Sequence, residues 1–144
     1  RSSDLSDSKL KALLTYLIIF IIEHELSHDI NGSHGKKINK NINDVMRYID
    51  SNYMTDINVD NICKLFSFSS SHFSRLFKQN TGEAFSRYLS KVRLEHAIVL
   101  LSNTDKQIDQ IAYECGFKST SYFSYSFKKE FLVSPLKYRM QMKG

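Results

Sequence analysis

The same motif occurs twice in the C-terminal two thirds of the chain. It consists of an isoleucine, a phenylalanine six positions later, a Phe-Ser pair and a Phe-Lys pair, and it occupies residues 62–78 and again residues 111–128. The second copy has one extra residue in its turn. Each copy is typical of a short helix, a tight turn and a longer helix with small polar residues at its exposed start, which is the layout of a helix-turn-helix. An ordinary helical hairpin explains a single copy equally well, but two copies in register favour two helix-turn-helix units.

The spacing of apolar residues predicts helices throughout residues 42–144. We expect them at about residues 42–52, 59–66, 69–79, 83–101, 107–115 and 119–130, with Gly82 ending the third helix and Pro135 opening a last short one. The stripe of the long central helix is expected to hold Phe85, Tyr88, Leu89, Val92, His96, Val99 and Leu100. The predicted fold class is all-α: two helix-turn-helix subdomains joined by a long central helix, preceded by an apolar helix on a linker.

An apolar run at residues 12–22 predicts that N-terminal helix, over about residues 8–28. The run is too short to cross a bilayer, which takes roughly 20 residues, so no membrane partner is expected. Because the helix is apolar on nearly every side, we expect cover from a preceding domain, from a homodimer through residues 8–28, or from the chain's own helices. Residues 29–41 are rich in Gly, Asn, Ser and Lys and indicate a flexible linker. The predicted boundary separates residues 1–41 from the double helix-turn-helix domain at residues 42–144.

The end of this helix carries the pattern H-E-x-x-H at His24, Glu25 and His28. Two histidines four positions apart share a helical face suited to zinc, with Glu25 as a general base and His34 as a third ligand. A zinc-binding protein or zinc-dependent hydrolase is therefore an alternative. Fewer than thirty residues precede the motif, which leaves no sheet or cleft for a substrate, and the solvated end of an apolar helix explains the same residues. We expect no metal, no cofactor and no enzymatic activity.

The net charge of +5 and the pI of about 9.2 favour a polyanionic partner. The positive charge is concentrated near the C-terminus, where residues 118–143 hold six Lys or Arg against the single Glu130. Cys63 and Cys115 lie within helical apolar patterns and make no disulfide framework in a chain of this size. We expect both to be small buried hydrophobic residues in a reducing compartment, which indicates the cytoplasm.

Residues 42–140 resemble the DNA-binding domain of the AraC/XylS family, because many positions agree at fixed spacing. The matching residues of the first unit and central helix are Ser71, Phe73, Ser74, Arg75, Leu76, Phe77, Lys78, Gly82, Phe85, Tyr88, Leu89, Arg93, Leu94, Ala97, Leu100 and Leu101. Those of the second unit are Ile111, Ala112, Gly116, Phe117, Tyr122, Phe123, Ser124, Phe127, Lys128, Lys129, Ser134, Pro135, Tyr138 and Arg139.

The resemblance implies which residues read bases. They are Ser71, Ser74 and Arg75 in the first unit and Thr120, Ser121 and Tyr125 in the second. Two positions depart from the family pattern. Tyr125 stands where an arginine is frequent, and Leu132 stands where a glycine is frequent, so the cap of the second recognition helix is expected to differ.

The predicted function is sequence-specific binding of double-stranded DNA by a transcription regulator, through recognition helices at about residues 69–79 and 119–130. RNA polymerase is a candidate further partner. The predicted DNA-binding residues are Ser70, Ser71, Ser74, Arg75, Lys78, Lys118, Thr120, Ser121, Tyr125, Lys128, Lys129 and Arg139. Arg75 is expected to read a guanine, and the lysines and Arg139 to contact phosphates. A helical interaction module that binds no DNA is the remaining alternative.

Overall fold

The computed structural model describes residues 10–11, 13–18 and 36–144, and for residues 36–41 it describes the backbone alone. Every regular element in these ranges is a helix, which confirms the predicted all-α class. Seven helices follow one another from residue 36 onward: α1 (Lys36–Asn52), α2 (Val59–Phe66), α3 (Ser70–Thr81), α4 (Phe85–Asn103), α5 (Ile108–Glu114), α6 (Thr120–Phe131) and α7 (Pro135–Lys143). None of the described helices is long and apolar enough to cross a membrane.

Short polar side chains cap three of these helices. Asn58 Oδ1 accepts a hydrogen bond from the backbone N–H of Asn61 at 2.9 Å and so starts α2. The hydroxyl oxygens of Ser119 and Ser134 accept in the same way at the starts of α6 and α7. Each cap satisfies a backbone donor that the first turn of a helix leaves free. Gly82 ends α3 with a φ of 81°, which confirms the expected left-handed cap.

The helices build two separate hydrophobic cores. The first core holds the buried residues Ile42, Val45, Ile49, Ile57, Ile62, Cys63, Phe73, Leu76, Phe77, Phe85, Leu89 and Val92. The second core holds Leu94, Ala97, Ile98, Leu101, Ile111, Ala112, Cys115, Phe117, Phe123 and Phe127. The sequence repeat is thus largely repeated in the packing. Its first copy buries Ile62, Phe73 and Phe77 and partly buries Phe68, and its second copy buries Ile111, Phe117, Phe123 and Phe127. Both cysteines are buried, as expected.

The buried side of α4 changes along the helix, and the single stripe predicted for it is wrong. Phe85, Leu89 and Val92 enter the first core, whereas the second half of the helix contributes Leu94, Ala97, Ile98 and Leu101 to the second. His96 and Val99, which were expected in the stripe, are exposed. A helix that packs against two neighbours on different sides has two short apolar stripes. Apolar spacing counted over the whole helix does not separate them.

The expected linker at residues 29–41 is wrong in its second half. Helix α1 begins at Lys36, six residues earlier than predicted. Residues 36–41 contain neither glycine nor proline, so nothing in this stretch stops a helix from extending backward from Ile42. The rest of the expected linker, the end of the predicted N-terminal helix, and the candidate zinc ligands His24, His28 and His34 lie outside the described residues.

Residues 10–11 and 13–18, here called the N-terminal segment, are helical, in agreement with the sequence pattern. The ring of Tyr16 packs against Phe131 at the edge of the second core, with ring centroids 5.9 Å apart. The segment therefore contacts the chain's own domain through this face. On its other sides Leu10, Leu14, Leu17 and Ile18 are 47% to 57% exposed.

Leu132 caps α6 in the conformation that a glycine usually adopts. Its φ is 65° and its ψ is 5°, and its backbone N–H donates to the carbonyl of Lys128 at 2.9 Å. The expectation of a different cap is therefore wrong, since the left-handed geometry is kept with a leucine in place of glycine. The side chain is 82% exposed, so little burial offsets the strain that a Cβ brings to this region.

Replacing Leu132 with glycine is expected to stabilise the protein. Relief of left-handed strain contributes about 1–2 kcal/mol, and the greater freedom of glycine in the unfolded chain removes about 0.4–1 kcal/mol of it. We expect Leu132→Gly to raise the free energy of unfolding by about 0.5–1 kcal/mol and the melting temperature by a few degrees. Leu136→Gly, at an exposed leucine in the first turn of α7, is the control and is expected to destabilise, by at most about 1 kcal/mol. If both variants melted at a lower temperature than the wild-type chain, the claim that Leu132 is strained would be wrong.

Candidate nucleic-acid interface

The first helix-turn-helix consists of α2, a turn at residues 67–69, and α3. Ser67 adopts a left-handed conformation with a φ of 59°, and the N–H of Phe68 donates to the carbonyl of Cys63 at 2.9 Å. The ring of Phe68 then packs against Phe73 of α3, with centroids 5.7 Å apart. These contacts fix the angle at which α3 leaves the turn.

The second unit, α5 and α6, repeats this arrangement with different residues. Gly116 takes the left-handed position of Ser67 with a φ of 91°, and the N–H of Phe117 donates to the carbonyl of Ala112 at 2.9 Å. The ring of Phe117 packs against Phe123 of α6 at 5.1 Å. The two helix-turn-helix units predicted from the sequence repeat are therefore present, and their second helices begin at Ser70 and Thr120.

One face of α3 is exposed along the whole helix. Phe73, Leu76 and Phe77 are buried on the opposite side. The exposed face collects five of the predicted DNA-binding residues: Ser70, Ser71, Ser74, Arg75 and Lys78. Their spacing follows successive helical turns, so the predicted set forms one continuous strip. The guanidinium of Arg75 lies 3.3 Å from Nδ1 of His72, which is also exposed.

A similar strip lies on α6, opposite the buried Phe123 and Phe127. The predicted residues Ser121, Tyr125, Lys128 and Lys129 are exposed on it, and Thr120 is half-buried at its start. Tyr122, which the sequence left out of the site, is 55% exposed beside them. In the sequence Tyr122 only matches the family pattern, and the fold shows that its side chain faces outward.

The cations of the two strips have no carboxylate partner in the described part of the chain. Arg75, Lys78, Lys128 and Lys129 form no ion pair there. Lys118 pairs with Asp56 at 3.1 Å, but both side chains are largely exposed, so the pair is weak. The strips therefore combine free positive charge with small hydrogen-bonding groups, which is the chemistry that binds phosphates and base edges.

Arg139 does not belong to this surface, and its predicted phosphate contact has no support in the structure. Its Nε donates to the carbonyl of Leu101 on α4 at 3.3 Å, and its Nη2 is buried. The side chain thus holds α7 against α4. Arg87 and Lys91 of α4 are likewise engaged, since both pair with Glu83 at 3.2 Å. A basic residue near a recognition helix is available to DNA only if the fold leaves its charge exposed and unpaired.

The described residues give little support for a metal site or a reactive cysteine. They contain no cluster of three metal-ligating side chains. Burial raises the pKa of Cys115 to about 12, which keeps its thiol protonated and unreactive near neutral pH. The two exposed helical strips are therefore the candidate site.

Comparisons with known proteins decide the family. Residues 62–141 match the family model described as a helix-turn-helix domain. The transcriptional activator RhaS of Mannheimia succiniciproducens is 31% identical over 114 residues, which is 79% of this chain and 42% of that protein. The C-terminal domain of AraT, a response regulator from Geobacillus stearothermophilus, matches with a TM-score of 0.67 and 33% identity, over 69% of this chain and 84% of that one. The chain belongs to the AraC/XylS family of DNA-binding transcription regulators.

The match to the AraC/XylS family includes both helix-turn-helix units, since residues 62–141 run from α2 into α7. The DNA-binding domain of AdpA, solved in complex with a target DNA, matches with a TM-score of 0.67 and 26% identity, over 69% of this chain and 89% of that domain. The chain spans about a third to a half of the length of the curated relatives it matches, from 33% to 48% among the first five.

Proposed function

We propose that the protein binds a specific double-stranded DNA sequence by placing α3 and α6 in the major groove, and that it regulates transcription from that site. The observation that carries the proposal is the pair of exposed strips, each polar at the start of its helix and basic further along. A helix enters the major groove with its N-terminal residues against base edges, so small side chains there permit close approach. The DNA-binding domain of AdpA, a structural neighbour, was solved in complex with a target DNA, which supports DNA binding by this fold.

The roles of the residues follow from their chemistry. Arg75 can donate two hydrogen bonds to O6 and N7 of a guanine. Ser71 and Ser74 flank it and contact bases or backbone, as Thr120, Ser121 and Tyr125 do on α6. Ser70 and the exposed lysines Lys78, Lys118, Lys128 and Lys129 contact phosphates. Arg139 is left out, because its guanidinium is committed to α4.

The length of α4 supports simultaneous binding by both units. Its 19 residues extend about 28 Å at 1.5 Å per residue. Successive major-groove segments on one face of DNA lie about 34 Å apart. The two recognition helices are packed on opposite halves of α4, so their separation is of the right order for adjacent segments.

The proposal includes a cellular setting and partners. RhaS, a relative, is named a transcriptional activator. On that basis we propose that this chain acts in the cytoplasm and contacts RNA polymerase. The protein is proposed to have no catalytic activity, since its relatives are transcription regulators.

We further propose that two copies of the chain associate through residues 8–28. The N-terminal segment carries Leu10, Leu14, Leu17 and Ile18 exposed on its surface. Burying an apolar side chain of this size is worth about 1.5–3 kcal/mol, and a symmetric pair of such helices covers both copies at once.

The salt dependence of DNA binding tests the function. Several lysines that displace counterions from phosphates are expected to give a log–log slope of about −4 to −8 for affinity against salt. The measurement is fluorescence anisotropy on a site selected from a random DNA pool, with Lys128→Ala expected to reduce the magnitude of the slope by about 1. A slope near zero for the wild-type chain would contradict DNA binding as a whole.

Arg75→Ala is expected to weaken binding to the selected site by about 1–3 kcal/mol and to relax the preference at one base pair. The reason is the loss of a bidentate contact to one guanine. Lys78→Ala, on the same strip, is the control and is expected to weaken binding to all sequences alike. Affinities for the selected site and for single-base variants are the measurement. Uniform loss for Arg75→Ala would reassign this residue to a phosphate.

Sedimentation velocity tests the association of two copies. The full chain is expected to dimerise at micromolar concentration, and a chain that begins at Asn39 is expected to stay monomeric, because it lacks the apolar helix. Leu14→Glu, which places a charge on the exposed face, is expected to shift the full chain toward monomer. Dimerisation that is unaffected by either change would place the contact elsewhere. Dimerisation that requires zinc would support His24 and His28 as zinc ligands.

A further inference from the structure

The loop at residues 53–58 joins α1 to α2 and belongs to the first subdomain, yet it contacts α4 and the second subdomain. Nε of Arg93 on α4 donates to the carbonyl of Tyr53 at 2.7 Å, and Nη2 donates to the carbonyl of Thr55 at 2.8 Å. The ring of Tyr53 stacks on His96, with centroids 3.8 Å apart and planes 4° apart. One loop therefore engages two successive turns of α4.

The same loop also lies directly against the turn of the second helix-turn-helix. A Cβ at Gly116 would lie 2.6 Å from the carbonyl oxygen of Tyr53 and 2.9 Å from Nε of Arg93. These distances are shorter than any side chain tolerates, so Gly116 is required by the close approach as well as by its left-handed φ. In the first unit the equivalent residue is Ser67, whose side chain is exposed. The two turns share their backbone geometry, but only the second has the loop packed on it.

The contact is partly shielded from water, since Arg93 and Tyr53 are each partly buried while Thr55 and Asp56 stay exposed. Burial lowers the pKa of Arg93, an effect that the nearby Asp56 carboxylate opposes, and burial raises the pKa of Tyr53. A half-buried guanidinium costs free energy unless acceptors replace its water, and the two loop carbonyls are those acceptors. Asp56 pairs with Lys118 of the second turn at the exposed edge of the same contact.

The two hydrophobic cores share no buried residue, so the loop is a connection between the subdomains in addition to α4. We propose that Arg93 is a positioning residue that fastens the 53–58 loop to α4 and to the Gly116 turn, and thereby holds the two recognition helices in one relative orientation. The consequence for DNA binding rests on the proposed function. A fixed orientation makes affinity depend on the spacing of the two DNA segments, whereas a loosened one lets the units bind almost independently.

The orientation is tested first without DNA. Spin labels are attached at Lys78→Cys on α3 and Lys128→Cys on α6 of the full chain, and the label separation is measured by pulsed dipolar spectroscopy. The labelled chain is diluted with unlabelled chain, so that only distances within one molecule contribute. We expect one narrow distribution for wild-type Arg93 and a broader one for Arg93→Ala. Arg47→Ala, an exposed arginine of α1 paired only with Asp44 among the described residues, is the matched control and is expected to keep the narrow distribution.

Spacing preference in DNA is the second measurement. About five base pairs, half a helical turn, are inserted between the two segments of the selected site. Wild-type affinity is expected to fall roughly tenfold or more, as the second unit disengages. For Arg93→Ala we expect the affinities for the selected site with and without the insertion to become nearly equal. Its affinity for DNA that carries only the first segment is expected to be unchanged. A purely structural defect would lower that single-segment affinity too.

Two further variants keep the test decisive. Arg93→Lys retains the charge but cannot donate to both carbonyls in one plane. It is expected to broaden the label distribution, and it therefore tests the proposal even if Arg93→Ala fails to fold. Gly116→Ala is expected to broaden the label distribution by pushing the loop away, whereas Ser67→Ala is not. An unchanged distribution for Arg93→Lys and Gly116→Ala would overturn the proposal. If the Arg93 variants broaden the label distribution but the wild-type chain binds no specific DNA, the positioning role is supported and the proposed function is overturned.

Discussion

The burial of α4 in two cores is the constraint on which both DNA-binding strips depend. Leu89 and Val92 enter the first core, and Ala97 and Leu101 enter the second. The helices of each unit are 7 to 12 residues long, a length at which an isolated helix is marginal in water. Their stability comes from packing on α4 and on one another. The strips on α3 and α6 are therefore held in place by residues that lie on the opposite, buried side.

Sequence periodicity predicts α2, α3, α5 and α6 to within one or two residues, because their caps and apolar spacing are local. Asn58, Gly82, Ser119 and Pro135 mark helix ends through their own side chains or backbone preferences. Features that depend on contacts between distant residues have no such local signal in the sequence. The switch of buried face along α4 requires knowledge of both cores, and the early start of α1 lies in a stretch whose composition suggested a linker.

The composition of the candidate site could be predicted from the sequence, but the availability of each charge could not. Lys128 and Arg139 both lie in the basic C-terminal region, and the sequence treats them alike. In the structure Lys128 is exposed on α6, whereas Arg139 donates to the carbonyl of Leu101 and is partly buried. The same holds for Arg93, whose partners are carbonyls about forty residues away in the chain. Backbone acceptors carry no sequence signature, so such arginines are recognised only from the fold.

The two units have the same fold but different recognition chemistry. In the register of the repeat, Ser71 corresponds to Ser121 and Lys78 to Lys128, so both strips can contact backbone in similar ways. Arg75, however, corresponds to Tyr125. A guanidinium offers a planar pair of donors to guanine, whereas a phenol offers one hydroxyl and an apolar ring that can pack against a thymine methyl. Under the proposed function the two DNA segments therefore differ in sequence, and a single chain distinguishes one end of its site from the other. This asymmetry gives the bound protein a direction along the duplex without a second copy.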